Sequence, residues 1–418
     1  MNEAVQSGTK TGALPQPEPG LKPQDLWDRA IGMRQKIRDE QAASEERGTY
    51  SPELHAEFMK NGFYRITQPK LFGGYEFPLP VFSRTMLEIA RGDPGTAWCL
   101  ALCASHSFIV GAHWSEEGQR QLFGPDGVFI AGHRALPSGK AEKVSGGWKL
   151  TGRWNYCSGS PYSTHMVFNA ICDDKVQRCF VVPKKDFTII DDWGGDKTLG
   201  MAASGSNSIE VKDAFIPEAL VTYNMIGLQP EAVQGGTPGT RLHNNPFFLG
   251  LIQGPYHCTL VGCVIGAAWA AIDEYERVTM SQNDYRQADT RRAELQDHQR
   301  EMGLALSMAD AAQAIFLGAA QGYMDLCHAW QGGYQITQED SFRLHGMAQQ
   351  AGKMGSEVVE RLFHVMGAFA TKKGNRMQRY FRDIGMYRTH SAAQYMQLAS
   401  LTGKSHFGIN AIYRSVDA

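Results

Sequence analysis

The sequence predicts an α+β fold that is mostly α: an N-terminal helical domain, a middle antiparallel β domain and a C-terminal four-helix bundle. Three observations predict it. Apolar residues recur at three- and four-residue steps up to about residue 125. Short β-branched and aromatic runs, cut by Gly, Pro, Asp and Ser, fill the stretch 126–226. Long helical segments dense in small residues take up the remainder. The expected organisation is a disordered leader at 1–24, the first helical domain at 25–125, the sheet domain at 126–226 and the bundle at 227–418.

Each element has a local reason. The stretch from Met1 to Pro23 is polar and lacks the apolar centre of a secretory signal. Leu26, Ala30, Met33 and Ile37 mark one face of a helix between Pro23 and Arg47. Ser51-Pro52-Glu53 reads as an N-cap with proline in the first turn, and the helix it starts stops at Asn61-Gly62. Phe72-Gly73-Gly74 is a turn, and Leu79 to Arg91 and Thr96 to Gly111 are further helices. The second is apolar nearly all round, which puts it at the centre. Trp148–Leu150, Met166–Ile171, Cys179–Val182 and Ser208–Val211 read as strands, and Gly227–Asn245 as a Gly/Pro loop. Phe247–Met280, Thr290–Trp330 and Thr337–Ala370 are long helices, and Tyr387–Thr402 a shorter one. Small residues such as Gly262, Gly266, Ala267, Ala311 and Ala319 let the long ones approach closely.

Composition excludes several functions. The 41 Lys and Arg nearly cancel 43 Asp and Glu, so a nucleic-acid footprint is not expected. No run of about 18 apolar residues is present, so no membrane span is expected. The eight cysteines are too sparse for a disulfide framework. Cys99, Cys103, Cys258 and Cys263 lie in apolar stretches and read as buried reduced thiols, which points to the cytoplasm. Cys99 and Cys103 have no matching downstream pair, so no metal site is expected. No Gly-x-Gly-x-x-Gly follows a strand and no Gly-x-Ser-x-Gly occurs, which argues against nicotinamide binding and an α/β-hydrolase. Gly236-Thr-Pro-Gly239 lacks the lysine of a phosphate loop.

Four ordered stretches resemble the acyl-CoA dehydrogenase fold: Leu71-Phe-Gly-Gly-Tyr-Glu, Gly95-Thr-Ala-Trp98, Leu199-Gly-Met with Ser208 and Ile216-Pro217, and Arg379-Tyr-Phe-Arg-Asp383. The correspondence runs from about Trp27 to Gly408. The dehydrogenases of that fold need a carboxylate base, in many members the Glu of Tyr-Glu-Gly-Thr. Here Arg382-Asp-Ile-Gly-Met-Tyr-Arg-Thr-His-Ser391 has none after Asp383 until Asp417. The Thr-Glu-Pro flavin loop reads Ala135-Leu-Pro-Ser138, and Arg277-Val-Thr-Met-Ser-Gln stands where the ADP-contacting Arg-x-Gln-Phe-Gly is expected.

What stands in their place is similar to the two-component flavin-dependent monooxygenases (group D), which include 4-hydroxyphenylacetate hydroxylase oxygenase components. Cys103-Ala-Ser-His106-Ser, Trp154-Asn-Tyr-Cys-Ser158-Gly159 and Phe381-Arg-Asp383 with Thr389-His390 carry this likeness. The resemblance implies catalytic roles for His106, Ser158 and His390. Ser158 would bond near flavin N5, His390 would stabilise a C4a-hydroperoxide, and His106 would face the substrate. Candidate cofactor-binding residues are Trp154, Cys157, Ser158, Ser204 and Ser206, and candidate substrate-binding residues are His106, His133 and Arg134. The implied cofactors are reduced FMN, with FAD as alternative, and O₂. The implied partners are a small aromatic, phenolic substrate, a separate NAD(P)H:flavin reductase and further copies in a homotetramer.

The chemistry suits these residue types. A dry pocket with a hydroxyl at N5 slows loss of H₂O₂, and an imidazole can donate to the distal peroxide oxygen. A second imidazole can polarise a phenol. Bland readings stand beside these: a histidine on an apolar helix is by default a satisfied core residue, Ser158 fits a turn, and Arg134 fits a solvated loop. The cluster Lys372, Lys373, Arg376, Arg379 and Arg382 fits either a neighbouring subunit's flavin phosphate or solvent. Trp193, Phe247, Phe248, Tyr256, Phe369 and Met386 fit an aromatic lining or plain core. Alternatives left open are a dehydrogenase with a displaced base, N- or S-oxygenation, and a catalytically silent scaffold.

Overall fold

In the computed structural model, which describes residues 12–226, 228–251, 255–409 and 411, the chain opens with a set of helices. These are α1 (Pro23–Asp39), α2 (Gln41–Arg47), α3 (Pro52–Lys60), α4 (Leu79–Ala90), α5 (Pro94–His113) and α6 (Glu116–Phe123). The apolar stripe of α1 is buried as spaced: Leu26, Ala30, Met33 and Ile37 face inward. Ser51 caps α3 by accepting from Leu54 N at 3.1 Å, with Pro52 behind it. Part of the expected leader lies outside the described residues. Within the rest, Leu14 N bonds Leu71 O at 2.9 Å and Gln16 bonds Gly74 O at 2.6 Å, fastening it to the Phe72-Gly73-Gly74 turn.

α5 is buried along its whole length. Its first half, Ala97 to Ala104, belongs to the helical core with residues of α1, α4 and the C-terminal helices, and Phe108 to Ala112 belong to the core of the sheet. Asp93 starts it, accepting from Thr96 N at 2.8 Å, with Pro94 in the first turn. By length and composition, α5 is apolar enough to cross a membrane, as is one later helix; in α5 the apolar surface is spent entirely on the core.

The sheet follows: β1 (Ala131–Val144), β2 (Gly147–Trp154), β3 (His165–Cys172), β4 (Gln177–Pro183), β5 (Thr188–Ile190), β6 (Ser208–Pro217) and β7 (Val221–Tyr223), in the order β5-β6-β2-β1-β3-β4-β7. It differs from the expected antiparallel sheet in one pair. β1 and β3 run parallel, because β2 turns back on β1 as a hairpin and the chain then turns again to lay β3 on the far side of β1. Two more differences matter below. Ala131–Arg134 is a strand and not a loop. Between Arg134 and Gly139 the β1–β3 register breaks, and pairing of β1 with β2 begins only at Gly139, so 135–138 leave both ladders.

The C-terminal part comprises α7 (Pro238–His243), α8 (Pro255–Ser281), α9 (Gln296–Gln331), α10 (Gln338–Met366), α11 (Arg376–Thr389) and α12 (Tyr395–His406). α8 packs on α4, α5, α9, α10 and α11, so the bundle closes over the N-terminal helices. Close approach uses the small residues: a Cβ on Gly266 would lie 2.3 Å from the Ala90 Cβ of α4. The expected helix at 387–402 is in fact two, α11 and α12, broken at His390–Gln394.

Candidate active site

Trp98, one turn into α5, is the hub. Its indole N–H donates to Ser158 Oγ at 3.2 Å, and the ring of His390 meets its ring edge-on, centroids 5.4 Å apart at 80°. The hydroxyl comes from the segment after β2 and the imidazole from the C-cap of α11, so elements far apart in sequence converge on one tryptophan. Ser158 Oγ lies 2.7 Å from Ser206 Oγ, which lies 2.6 Å from Ser204 Oγ. Backbone bonds fasten the two segments together, Gly159 N to Ser204 O at 3.1 Å and Cys157 N to Asn207 O at 3.0 Å. Gly159 is required here: its φ is +83°, and a Cβ would sit 2.2 Å from Cys103 Sγ.

His390 Nδ1 accepts from Ala392 N at 3.0 Å, which leaves the neutral ring's hydrogen on Nε2. Burial first, and then the Arg134 charge, push its pKa down to about 4; no carboxylate is among the causes. The ring is therefore a neutral hydrogen-bond donor at physiological pH.

Behind this junction lies a pair of histidines. His106, wholly buried on α5, directs Nδ1 to Leu102 O at 2.5 Å, and its ring meets that of His133 at 5.5 Å and 90°. His133 Nε2 lies 3.0 Å from Asn169 Oδ1. The polarity of that bond follows from its neighbours. Ile226 N–H donates to Asn224 Oδ1, so Asn169 Nδ2 must donate to the same oxygen, and Asn169 Oδ1 is then the acceptor. His133 thus carries hydrogen on Nε2 and has Nδ1 as its acceptor nitrogen. Burial pushes His106 down to about 3 and His133 to about 4, so both rings are neutral. Arg134 is half-buried, 5.9 Å over the Tyr156 ring, and its charge reaches His133, His390 and Cys157.

Other expected residues fall elsewhere. Trp154 is in the sheet core, stacked on Phe168 at 4.3 Å with its N–H on Asn169 O at 3.0 Å, so its ring packs against Phe168 there. Cys157 is buried and donates to Trp154 O, and burial pushes its thiol up to about 12, which makes it a packing residue. Phe247 and Phe248 pack with Phe108 in the sheet-side core. Of the expected aromatic lining Trp193 stands nearest, edge-on to Tyr156 at 5.9 Å; Phe369 is exposed, Met386 packs on the helical core, and the side chain of Tyr256 lies outside the described residues. In the basic cluster, Arg379 and Arg382 pair with Glu45 and Arg376 with Asp39, so these three charges are engaged within the chain.

Two further residues belong to the candidate site. Trp98 stood in a recognised motif without a role. Asn169, which fixes the His133 tautomer, is a lone amide inside the apolar run Met166–Ile171, and a polar residue in a buried strand is a signal in itself.

A flavin fits these residues. The ladder skips 135–138, which leaves a half-exposed run of backbone donors and acceptors in the same strand as His133 and Arg134. Ser158 is likewise half-buried, and Tyr156 stands exposed in a left-handed backbone (φ +60°) two residues before it. Backbone polar groups, one hydroxyl and aromatic edges form a donor set suited to a planar heterocycle with polar and apolar edges.

Residues 258–395 match the family model described as "Acyl-CoA dehydrogenase, C-terminal domain". The chain is 26% identical to a pigment production hydroxylase of Rhodococcus sp., over 88% of this chain and 92% of the relative. It is also 26% identical to the oxygenase component of p-hydroxyphenylacetate 3-hydroxylase of Acinetobacter baumannii, over 91% and 90%. Among solved structures, XiaF from Streptomyces sp., in complex with FADH2 and glycerol, superposes with a TM-score of 0.84 at 21% identity, covering 94% of this chain and 98% of XiaF. TdsC from Paenibacillus sp., in complex with FMN and indole, gives 0.75 at 16%, covering 93% and 99%. The chain has the acyl-CoA dehydrogenase fold.

Proposed function

From the premise that this chain is a homologue of the oxygenase components of two-component flavin-dependent hydroxylases, we propose that it is one itself, acting on a small phenolic substrate with reduced flavin from a separate NAD(P)H:flavin reductase. One observation carries the reading: a hydroxyl and a neutral imidazole meet on Trp98, where a dehydrogenase would need a base, and no carboxylate perturbs that imidazole.

Reduced flavin, when bound, supplies the electrons that activate O₂ and carries the oxygen atom that is transferred. The residues that would hold it are Ser158, towards N5, and the backbone run 135–138 that leaves the ladders, with Trp98 and Tyr156 as apolar walls. His390 offers an N–H donor to a developing oxyanion and stays neutral between pH 6 and 8. His133, its Nε2 hydrogen held by Asn169 Oδ1, sets a neutral ring edge-on to His106, and this polar pair is what a phenol would meet. Wholly buried His106 backs that histidine edge-on and helps exclude water. Arg134 stands over the Tyr156 ring, and its positive charge reaches both His133 and His390.

FMN is favoured over FAD. Arg277, in the position of an ADP contact, is committed to Glu274 by bonds of 2.6 and 2.8 Å within its own helix. A homotetramer is supported by α9, a long helix on which the apolar side chains of Leu304 and Leu306 are exposed. The free buried thiols among the described cysteines suit a cytoplasmic protein.

The test is to mix the protein with photoreduced FMN or FAD, O₂ and a panel of phenols, following O₂ uptake, H₂O₂ release and product mass. Gain of one oxygen atom in a phenol supports the proposal. Oxidation of flavin at its rate in free solution, with stoichiometric peroxide and no product from any phenol, overturns it.

A further inference from the structure

The three serines behind Trp98 form a closed hydrogen-bond problem. Trp98 Nε1–H can only donate, so it permanently takes one lone pair of Ser158 Oγ. Ser158, Ser206 and Ser204 share two bonds, at 2.7 and 2.6 Å, and bring three hydroxyl hydrogens. Two hydrogens lie between the oxygens and one is left at an end. If the hydrogens run inward, Ser158 donates to Ser206 and keeps one lone pair towards the site. If they run outward, Ser158 accepts from both neighbours and its own hydrogen points to the site. Only hydroxyl rotations separate the two states. The heavy atoms are fixed by the backbone bonds between the two segments, and Ser206 and Ser204 are both buried.

We propose that Ser206, backed by Ser204, is a positioning residue that sets the direction of the Ser158 hydroxyl, letting one oxygen accept from N5–H of reduced flavin and donate to the bare N5 of oxidised flavin. The inference rests on the flavin-dependent reading above. It assigns Ser204 and Ser206 a role through Ser158 in place of direct cofactor contact. Because the relay ends in the protein interior at Ser204, switching direction needs no water, which keeps this side of the site dry.

The test uses FMN labelled with ¹⁵N at N5, bound anaerobically in reduced form and aerobically in oxidised form. The Ser206→Ala variant should move the N5 resonance towards its free-flavin position in both redox states. Mixing reduced complex with O₂ should then release H₂O₂ about fivefold faster, the factor that about 1 kcal/mol represents. Ser206→Thr, which keeps the hydroxyl, should restore both readouts.

An unchanged N5 signal in Ser206→Ala overturns the inference, and so does movement in one redox state only, because the relay would then have a fixed direction. Failure of Ser206→Thr to restore them also overturns it, since side-chain volume would then be the cause. Should Ser206→Ala fold poorly, Ser204→Ala decides, with a smaller shift of the same sign expected. If wild-type protein binds neither FMN nor FAD, the functional reading itself falls, before any variant is compared.

Discussion

Asp383 on α11 offers a quantitative test of how the His390 helix is held. Its carboxyl is fully buried and accepts from Met201 N at 2.5 Å, while Arg382 bonds Leu199 O at 2.7 Å, so α11 is clamped to the loop before β6. The acids around it are buried Asp93 and half-buried Glu45, and the cations are Arg379 and Arg382. Three carboxylates against two guanidiniums balance only if one proton is kept. Burial, followed by the Asp93 charge, raises Asp383 from the ordinary 3.8 to about 7. A raised carboxyl contributes stability that is whole below pH 3.8 and is lost as pH climbs through 7. At 1.36 kcal/mol per unit, that interval amounts to about 4 kcal/mol at most. Asp383→Asn keeps the acceptor for Met201 N–H and takes Asp383 out of the pair, leaving Asp93, which burial also raises, as the remaining buried acid. Urea unfolding of both proteins at one fixed concentration, from pH 5 to pH 8, should show wild type losing about 3 kcal/mol relative to the variant. A stability gap that does not change with pH would refute the shared-proton argument.

Three more outcomes follow from the same geometry. Gly159→Ala should lower stability by about 2–4 kcal/mol, from strain at φ +83° and from the Cys103 sulfur; adding Cys103→Ala should return the steric part, and a double variant as unstable as the single one, measured by thermal melting, would count against the clash. Trp98→Phe keeps a ring against His390 but removes the N–H held by Ser158, so the anaerobic Kd for reduced FMN should rise about fivefold; an unchanged Kd would separate Trp98 from flavin binding. With His390 titrating near 4, the peroxide release rate should show no His390-dependent inflection between pH 6 and 8. A step near 6.5 that disappears in His390→Ala would show that the ring is charged in use.

Much of the fold was legible because burial and periodicity agree in it. α5 has no polar face, α1 has a single stripe, and the helix after Ser51 has a cap, so each could be placed from its own residues. β1 was not read as a strand: Pro137, Ser138 and Gly139 interrupt any alternation, and 135–138 make no ladder bonds that would favour one. α11 was hidden by its charges. Arg379 and Asp383 are buried through the Glu45 and Met201 contacts of other segments, which no local pattern reports. The site divides the same way. Ser158, His106 and His390 could be named from motifs, whereas the hub role of Trp98 and the tautomer set by Asn169 exist only once α5, the sheet and α11 are assembled.

Because no side of α5 meets water, added volume anywhere along that rod must be absorbed by the sheet or by the bundle. Changing α5 would therefore disturb the Ser158 side and the His133 side of the site together. The half-open stretch of β1 from Ala135 to Pro137, outside the ladders, has the exposure that α5 lacks. Side chains there can grow, shrink or change charge while the backbone run beside them keeps its hold, which makes this short strip the natural ground for divergence in what is oxidised.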